Sequence, residues 1–546
     1  MRMSYWEYQG TAHTGVARVA CSMKDMHGVF YSPVGDSYIH SLFTMMERMD
    51  RFPPITTSVL DSQTMGMGIN KLPETLKQVY HDHHPRLIAI ACTCSSTLLQ
   101  EDLGALARSA DIPQDETEIL IYAPNPYRVE EDESANGLLT LMTQKFAAKP
   151  LPPTTRPSVN IIGPISLGFH NRHDLISLKR MLEAMGLEVN VVFPLDACLD
   201  DVKKLPQAWA SIAPYREMGQ GAADWLEQQH GIPAVKTTPI GVALTRQWVR
   251  ETLNAVDRFA RSHGLDFDPT EPALSAFSMD QKSAPSTLPW FSYTADTQSF
   301  SSRKAFVFGD FTHATTLTRL LVTEMDIQVV GAGTYNMRLA EEFRQAVAPY
   351  TDNVIITHEF EEVRQQIAAT MPDMVLGSQM ERHTSAGLDI PCAVISNPTH
   401  IEDYSLGYQP FLGYDGTNFI TDRLYHTMQL GLEKHLIEMF GDAGLGEEGY
   451  RRDQAPLDTP AVSALPKTEV VAPYEQLAVD GGSAAPVLAA PVIQELAWTE
   501  EAQKAMKGIP FFVRPKVQKR VEDYARLHGY SLITLDLVYE VKEKAG

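Results

Sequence analysis

The chain has 546 residues, 44% hydrophobic and 21% charged, with a formal net charge of −22. That length exceeds one ordinary core and implies several domains, while the excess of acid repels phosphate backbones and leaves no nucleic-acid partner to expect. No run of about 18 apolar residues suggests a membrane span, and Met1-Arg2-Met3-Ser4-Tyr5-Trp6 lacks a secretory signal's pattern, so a cytoplasmic location is expected.

The recurrent pattern is a short apolar run of strand type followed by an amphipathic helix. Residues 87–91 read as a buried strand, with a helix expected over 97–106. Residues 159–163 read likewise, and the helix after them carries Leu175, Leu178, Met181, Leu182 and Met185. Gly186 stops that helix before a strand at 188–193. Further strands are expected at 305–309, 327–331, 354–357, 374–377 and 393–396. Such alternation predicts an α/β protein with parallel sheets covered on both faces. Three Rossmann-like domains are expected, roughly over 1–150, 151–300 and 301–443. From 444 to 495 the chain turns to Ala, Pro, Val, Gly and Ser without a sustained period, which reads as a linker. Residues 496–546 regain pattern: a basic segment at 516–520, a helix through Val521, Tyr524 and Leu527, then apolar anchors at Ile533, Leu535, Leu537 and Val538. A small C-terminal module is expected there.

The five cysteines, Cys21, Cys92, Cys94, Cys198 and Cys392, are dispersed and odd in number. They suit no disulfide framework. Neither a paired C-x-x-C zinc pattern nor a ferredoxin-type run occurs, so four thiolates for an iron–sulfur cluster are not expected from this chain alone. Nucleotide loops are also missing. The nearest approach to G-x-G-x-x-G is Gly331-Ala332-Gly333-Thr334-Tyr335-Asn336, which lacks the third glycine. Gly163 to Gly168 continues as Phe169-His170 where a Walker loop needs Lys and Ser or Thr. A G-x-S-x-G elbow and an H-E-x-x-H helix are absent as well.

Several segments carry a resemblance. They begin with Trp6-Glu7-Tyr8-Gln9-Gly10, His13-Thr14-Gly15 and Tyr31-Ser32-Pro33-Val34-Gly35-Asp36-Ser37-Tyr38. Next come Ser166-Leu167-Gly168-Phe169-His170, Pro239-Ile240-Gly241-Val242, Phe308-Gly309-Asp310 and Gln379-Met380-Glu381-Arg382. Gly431-Leu432-Glu433-Lys434-His435 and Ile509-Pro510-Phe511-Phe512-Val513-Arg514 complete the series. In order and from end to end, these resemble the B subunits of the light-independent (dark-operative) protochlorophyllide reductases, a nitrogenase-like family.

The resemblance implies a nitrogenase component 1-like fold and a heterotetramer with an N-type partner subunit. It implies ATP-dependent reduction of the C17=C18 bond in ring D of protochlorophyllide, giving chlorophyllide a. Electrons would come from a separate homodimeric iron–sulfur ATPase, which fits the missing nucleotide loops. Three thiolates of the partner subunit and Asp36 of this chain would hold a shared [4Fe–4S] cluster. Asp36 taken alone reads as a turn residue beside Gly35; a carboxylate ligand, harder than a thiolate, is one lever on cluster potential. Asp296 matches the family's proton donor, a role that needs burial or nearby negative charge to raise its pKa. Gly431 and Leu432 match substrate-contacting positions; the bland alternative is a helix glycine tolerated at a cost of about 1 kcal/mol. Cys94 is placed near the cluster and not on it, while Cys21, Cys198 and Cys392 read as structural. His400 reads as a hydrogen-bonded structural histidine, and His81-Asp82-His83-His84 as a solvated turn. The alternatives are a subunit of chlorophyllide a reductase, against which the tail at 509–514 argues, and a non-catalytic nitrogenase-like cofactor scaffold. A nucleotide-binding Rossmann enzyme is the third.

Overall fold

The computed structural model describes residues 7–37, 52–61, 70–268, 300–399 and 407–428, together with 497–499, 502, 518, 521, 524, 525, 532–535 and 537. Contacts divide the chain into two compact units, Met1–Gln454 and Ala455–Gly546.

Among the described residues the first unit contains three parallel sheets. β1 (Met26–Ser32), β2 (Ile55–Val59), β3 (Leu87–Cys92) and β4 (Glu118–Ile121) lie in the order β2-β1-β3-β4. β5 (Ser158–Ile162), β6 (Glu188–Phe193), β7 (Ala210–Ile212) and β8 (Ala234–Val235) repeat that arrangement as β6-β5-β7-β8. β9 (Lys304–Gly309), β10 (Gln328–Thr334), β11 (Val354–Ile356), β12 (Met374–Gly377) and β13 (Cys392–Val394) lie in the order β11-β10-β9-β12-β13. Every pair is parallel. The central strands are buried along their whole length, as β1 and β5 show. Helices on both faces explain why such strands read as near-continuous apolar runs. The helix Val242–His263 shows the complementary signal, burying Leu244, Trp248, Val249, Thr252, Val256 and Phe259 on one stripe. It ends at Gly264, whose left-handed φ of 65° lets its N–H cap the Ala260 carbonyl.

Each strand order reverses once: between β1 and β3, between β5 and β7, and between β9 and β12. The crevice beyond the carboxyl ends of strands at such a reversal is where open α/β sheets gather ligands. One apolar cluster, including Phe30, Ile161, Trp248, Val307 and Leu376, runs through all three sheets. Their edges are therefore held in a fixed relation.

Local departures from the sequence expectation have identifiable causes. The helix expected over 97–106 is two helices, Cys94–Thr97 and Leu103–Ser109. Asp102 starts the second by accepting from the Ala105 N–H at 3.0 Å, an N-cap placed where one continuous helix was expected. His81 and His83 lie in the last turn of the helix Leu72–His83, and His84 is its left-handed cap, so the solvated turn is a solvated helix end. Gly331 and Gly333 lie inside β10, where a Cβ would meet the Phe306 ring at 2.8 Å and the Ile355 carbonyl at 2.6 Å. Close strand packing accounts for both glycines.

In the second unit β14 (Ala497–Trp498) and β15 (Leu532–Ile533) pair in parallel. Ala502, Val521, Ala525, Ile533 and Leu537 are buried. Among the described residues no helix is long and apolar enough to cross a membrane.

Candidate functional site

The reversal in the first sheet carries Asp36 and Cys94. Pro33 ends β1, and a single 3-10 turn, Val34–Ser37, follows with the Asp36 N–H donating to the Pro33 carbonyl at 3.2 Å. Asp36 is half-buried, and its Oδ2 is buried with no hydrogen-bond partner among the described residues. Such an oxygen carries an uncompensated desolvation cost unless a cation or donor meets it. Cys94 opens the short helix after β3, where Thr93 and Ser96 form a capping box. Burial, then the charge of Asp36, raises the Cys94 thiol above its ordinary pKa, while a hydrogen bond from Thr11 works the other way. His13 is the next neighbour: burial lowers its pKa and the Asp36 charge partly offsets this. The His13 Nδ1 is fixed by Thr11 Oγ1 at 2.7 Å. Among the described residues no three His, Cys, Asp or Glu side chains converge to hold a metal ion. Asp36 therefore offers one hard oxygen, with the thiol of Cys94 nearby.

The reversals in the second and third sheets converge on a cavity of about 350 Å³. Ile165, Leu167 and Phe169 come from the loop after β5, Tyr215, Glu217 and Met218 from that after β7, and Asp310 and His313 from the end of β9. Arg18, from the helix Ala12–Ser22, is 5% exposed and crosses to the second sheet by donating through Nε to the Ser166 carbonyl at 3.0 Å. Its Nη1 donates to Glu131 Oε1 at 3.1 Å and to Asp132 Oδ1 at 2.7 Å. Asn336, beyond β10, donates to the other Asp132 oxygen at 3.3 Å. Glu217 Oε2 accepts from the Thr312 hydroxyl at 2.6 Å. Asp310 caps the helix Phe311–Glu324, and its two oxygens lie 2.9 and 2.8 Å from His313 Nδ1.

Burial pushes the Asp132 carboxyl up, with Arg18 pulling against it. The Glu217 carboxyl is raised by burial and then by the charges of Asp310 and Asp132. Burial lowers His313, but Asp310, Glu217 and Asp174 together outweigh it and the imidazole is held above its usual value. The network thus braces the sheets and holds Asp132, Glu217 and His313 toward their protonated forms.

Of the sequence-derived site residues, Asp36 is placed at the first sheet's reversal, and Asp296, Gly431 and Leu432 lie outside the described residues, as does His400. Cys21 is buried, Cys392 is in β13, and Cys198 caps the helix Leu199–Lys204. The cavity residues Arg18, Asp132, Glu217 and His313 escaped the sequence reading. Their only local signal was Asp310, an acid directly after a strand and three residues before His313.

This fold, with its reversals at the carboxyl ends of central strands, is that of a nitrogenase component 1 type oxidoreductase, and the family model of that description matches residues 11–429. A solved structure titled "Nitrogenase Cp1 at pH 6.5" superposes with a TM-score of 0.64 at 16% identity, covering 80% of this chain and 95% of that one. A second family model, described as the proto-chlorophyllide reductase 57 kD subunit, matches residues 498–542. The B subunits of the light-independent protochlorophyllide reductases from Roseiflexus castenholzii, Chloroflexus aggregans and Pelodictyon phaeoclathratiforme are each 46% identical over 100% of both chains. The chain belongs to the nitrogenase component 1 type oxidoreductases and, within them, to the light-independent protochlorophyllide reductase B subunits.

Proposed function

We propose that the chain is the B-type member of a cytoplasmic heterotetramer, formed with an N-type partner, that reduces ring D of protochlorophyllide to give chlorophyllide a. The observation that carries this reading is the occurrence of both family models, in order, on a chain similar over its full length to the B subunits of such reductases. Adding two electrons and two protons across C17=C18 needs an electron source, and a homodimeric iron–sulfur ATPase is its proposed supplier, using ATP on its own chain.

Asp36 is the proposed oxygen ligand of a [4Fe–4S] cluster shared with three thiolates of the N-type partner. The orphaned, buried Oδ2 fits that role, because an electron-poor metal would compensate its lost hydration. Such a cluster, when bound, supplies one-electron transfer. Cys94 is proposed as a neighbour of the cluster and not a ligand, because Asp36 and three partner thiolates already make four ligands. Asp296 is the proposed proton donor, and Gly431 and Leu432 the proposed substrate contacts, on the family resemblance.

The test combines this chain with the N-type partner and the ATPase, without oxygen and in the dark. Chlorophyllide should form only when ATP and all three components are present. A complex that holds iron and pigment but yields product at ring B, or none at all, would reject the reading in favour of the alternative reductase or the scaffold.

A further inference from the structure

The cavity where the second and third sheets reverse holds more carboxyl groups than cations. Glu7, Glu131, Asp132, Glu217 and Asp310 line it, against two guanidinium groups, Arg18 and Arg172, and three imidazoles, His313 among them. Arg18 is taken up by Glu131 and Asp132, and His313 Nδ1 by Asp310. Glu217 receives the N–H and hydroxyl of Thr312 and has no ion-pair partner among the described residues.

An independent observation points the same way. His313 is 2% exposed and lines the cavity, yet its Nε2 is buried without a hydrogen-bond partner among the described residues. With Nδ1 fixed on Asp310, the opposite side of the ring presents Nε2. A buried ring nitrogen left in this state implies a missing partner. Part of the remaining wall is apolar or aromatic, with Ile165, Phe169, Met218 and Tyr335, and part is polar, with Gln9, Asn171 and Asn397. Aromatic faces attract cations, and apolar walls favour a stem over a bare ion. Among the described residues no metal-binding convergence of three side chains occurs.

We propose that this cavity binds a small organic cation, an ammonium or amidinium carried on an apolar stem, with its charged head between Glu217 and His313 Nε2. The ligand takes the place of protons: Glu217 releases its carboxyl proton, and His313 releases the proton on Nε2, which then accepts from the ligand N–H. The groups facing this pair are Asp310 on the same helix, and Asp132 with Arg18 and Glu131 across the cavity. Asp174 with Tyr215, His170 and Tyr335 complete the surround. Because Glu217 and His313 both hold their protons above the usual range, binding strengthens as pH rises.

The site is independent of the proposed reduction, so its test reads binding. The assembled complex is titrated calorimetrically with benzylammonium, benzyl alcohol and benzoate from about pH 6 to about pH 8, in two buffers of different ionisation enthalpy. Benzylammonium alone should bind, releasing protons and tightening by up to about tenfold per pH unit for each proton released. Glu217→Gln, which matches the protonated carboxyl in shape, should weaken it by about tenfold or more and flatten the pH dependence. Binding of all three probes alike, binding of none, binding without proton release, or unchanged binding by Glu217→Gln would each overturn the proposal. Should Glu217→Gln fail to assemble, the three probes on the unmodified complex decide alone.

Discussion

Arg18 Nη1 donates to Asp132 Oδ1 at 2.7 Å with both residues buried, joining the helix Ala12–Ser22 to the helix Glu131–Phe146. The same guanidinium reaches the second sheet at the Ser166 carbonyl, and Asp132 reaches the third through Asn336. One ion pair therefore braces all three sheets.

Removing one partner of such a pair leaves an uncompensated buried charge, a loss of about 3–5 kcal/mol. Arg18→Met should lower unfolding stability by that order at neutral pH. Arg18→Met with Asp132→Asn should recover much of it, because the orphaned charge is gone. Urea unfolding of both single variants and of the double variant checks this, and simple additivity of the two substitutions would show that the pair is not coupled.

His170 gives a pH prediction. It lies in a left-handed conformation, φ 53°, before the helix Asn171–Ala184, and its Nδ1 donates to the Gln409 carbonyl. Burial pushes its pKa down to about 3, so the folded protein favours the neutral ring. The unfolded chain binds the extra proton, and this contribution to stability is complete above about pH 6.5 and lost as pH falls toward the folded value, at up to about 1.4 kcal/mol per unit. Asp132 and Glu217, whose pKa values are raised, act in the opposite sense and lose stability as pH rises. His170→Asn keeps a residue that tolerates left-handed backbone. Its stability should fall less steeply than wild type between about pH 6 and about pH 4; parallel profiles would remove His170 from the account.

Legibility in the sequence tracked burial. β3 and β9 read clearly because burial on both faces makes continuous apolar runs. β1 mixes His27, Gly28 and Ser32 among its apolar residues, and β8 has two residues, so neither gives a period to read. The cavity acids lie at 131, 132, 217 and 310 in the chain, so their meeting depends on three sheets packing together and no local pattern encodes it. Asp36 was legible through resemblance alone. What the structure adds is a buried oxygen without a partner among the described residues.

That oxygen sets the next expectation. Asp36→Ala should lose most of the cluster iron from the complex, because a methyl group offers no ligand. Asp36→Cys should keep iron with altered activity, since a softer ligand changes the potential. Iron analysis and electron paramagnetic resonance of the two complexes decide it. Full iron and wild-type turnover in Asp36→Ala would remove Asp36 from the ligand set.

Contacts divide the chain between Gln454 and Ala455, and the C-terminal unit is expected to be separable. A chain ending before Trp498 should retain the body's cooperative unfolding, with a midpoint close to wild type. Circular dichroism and thermal melting test this. A truncated chain without a folded body would place residues 498–546 inside the main fold.

Asp296→Ala separates electron delivery from proton delivery. A proton donor acts once electrons have reached the macrocycle, so this variant should assemble its cluster and accept ATP-driven electrons while making little chlorophyllide. General acid catalysis contributes about 10²–10⁴-fold, and a rate loss of that order is expected when no other acid reaches the ring. Asp296→Glu should recover only part, because its longer arm misplaces the proton. Pigment should still bind, since a flat apolar macrocycle gains most of its affinity from buried surface. Single-turnover reduction in the dark, with bound-pigment absorbance followed in parallel, distinguishes the steps. Bound pigment without product supports the role. Wild-type product formation by Asp296→Ala would dismiss it and turn attention to His400 or to an acidic group of the substrate itself.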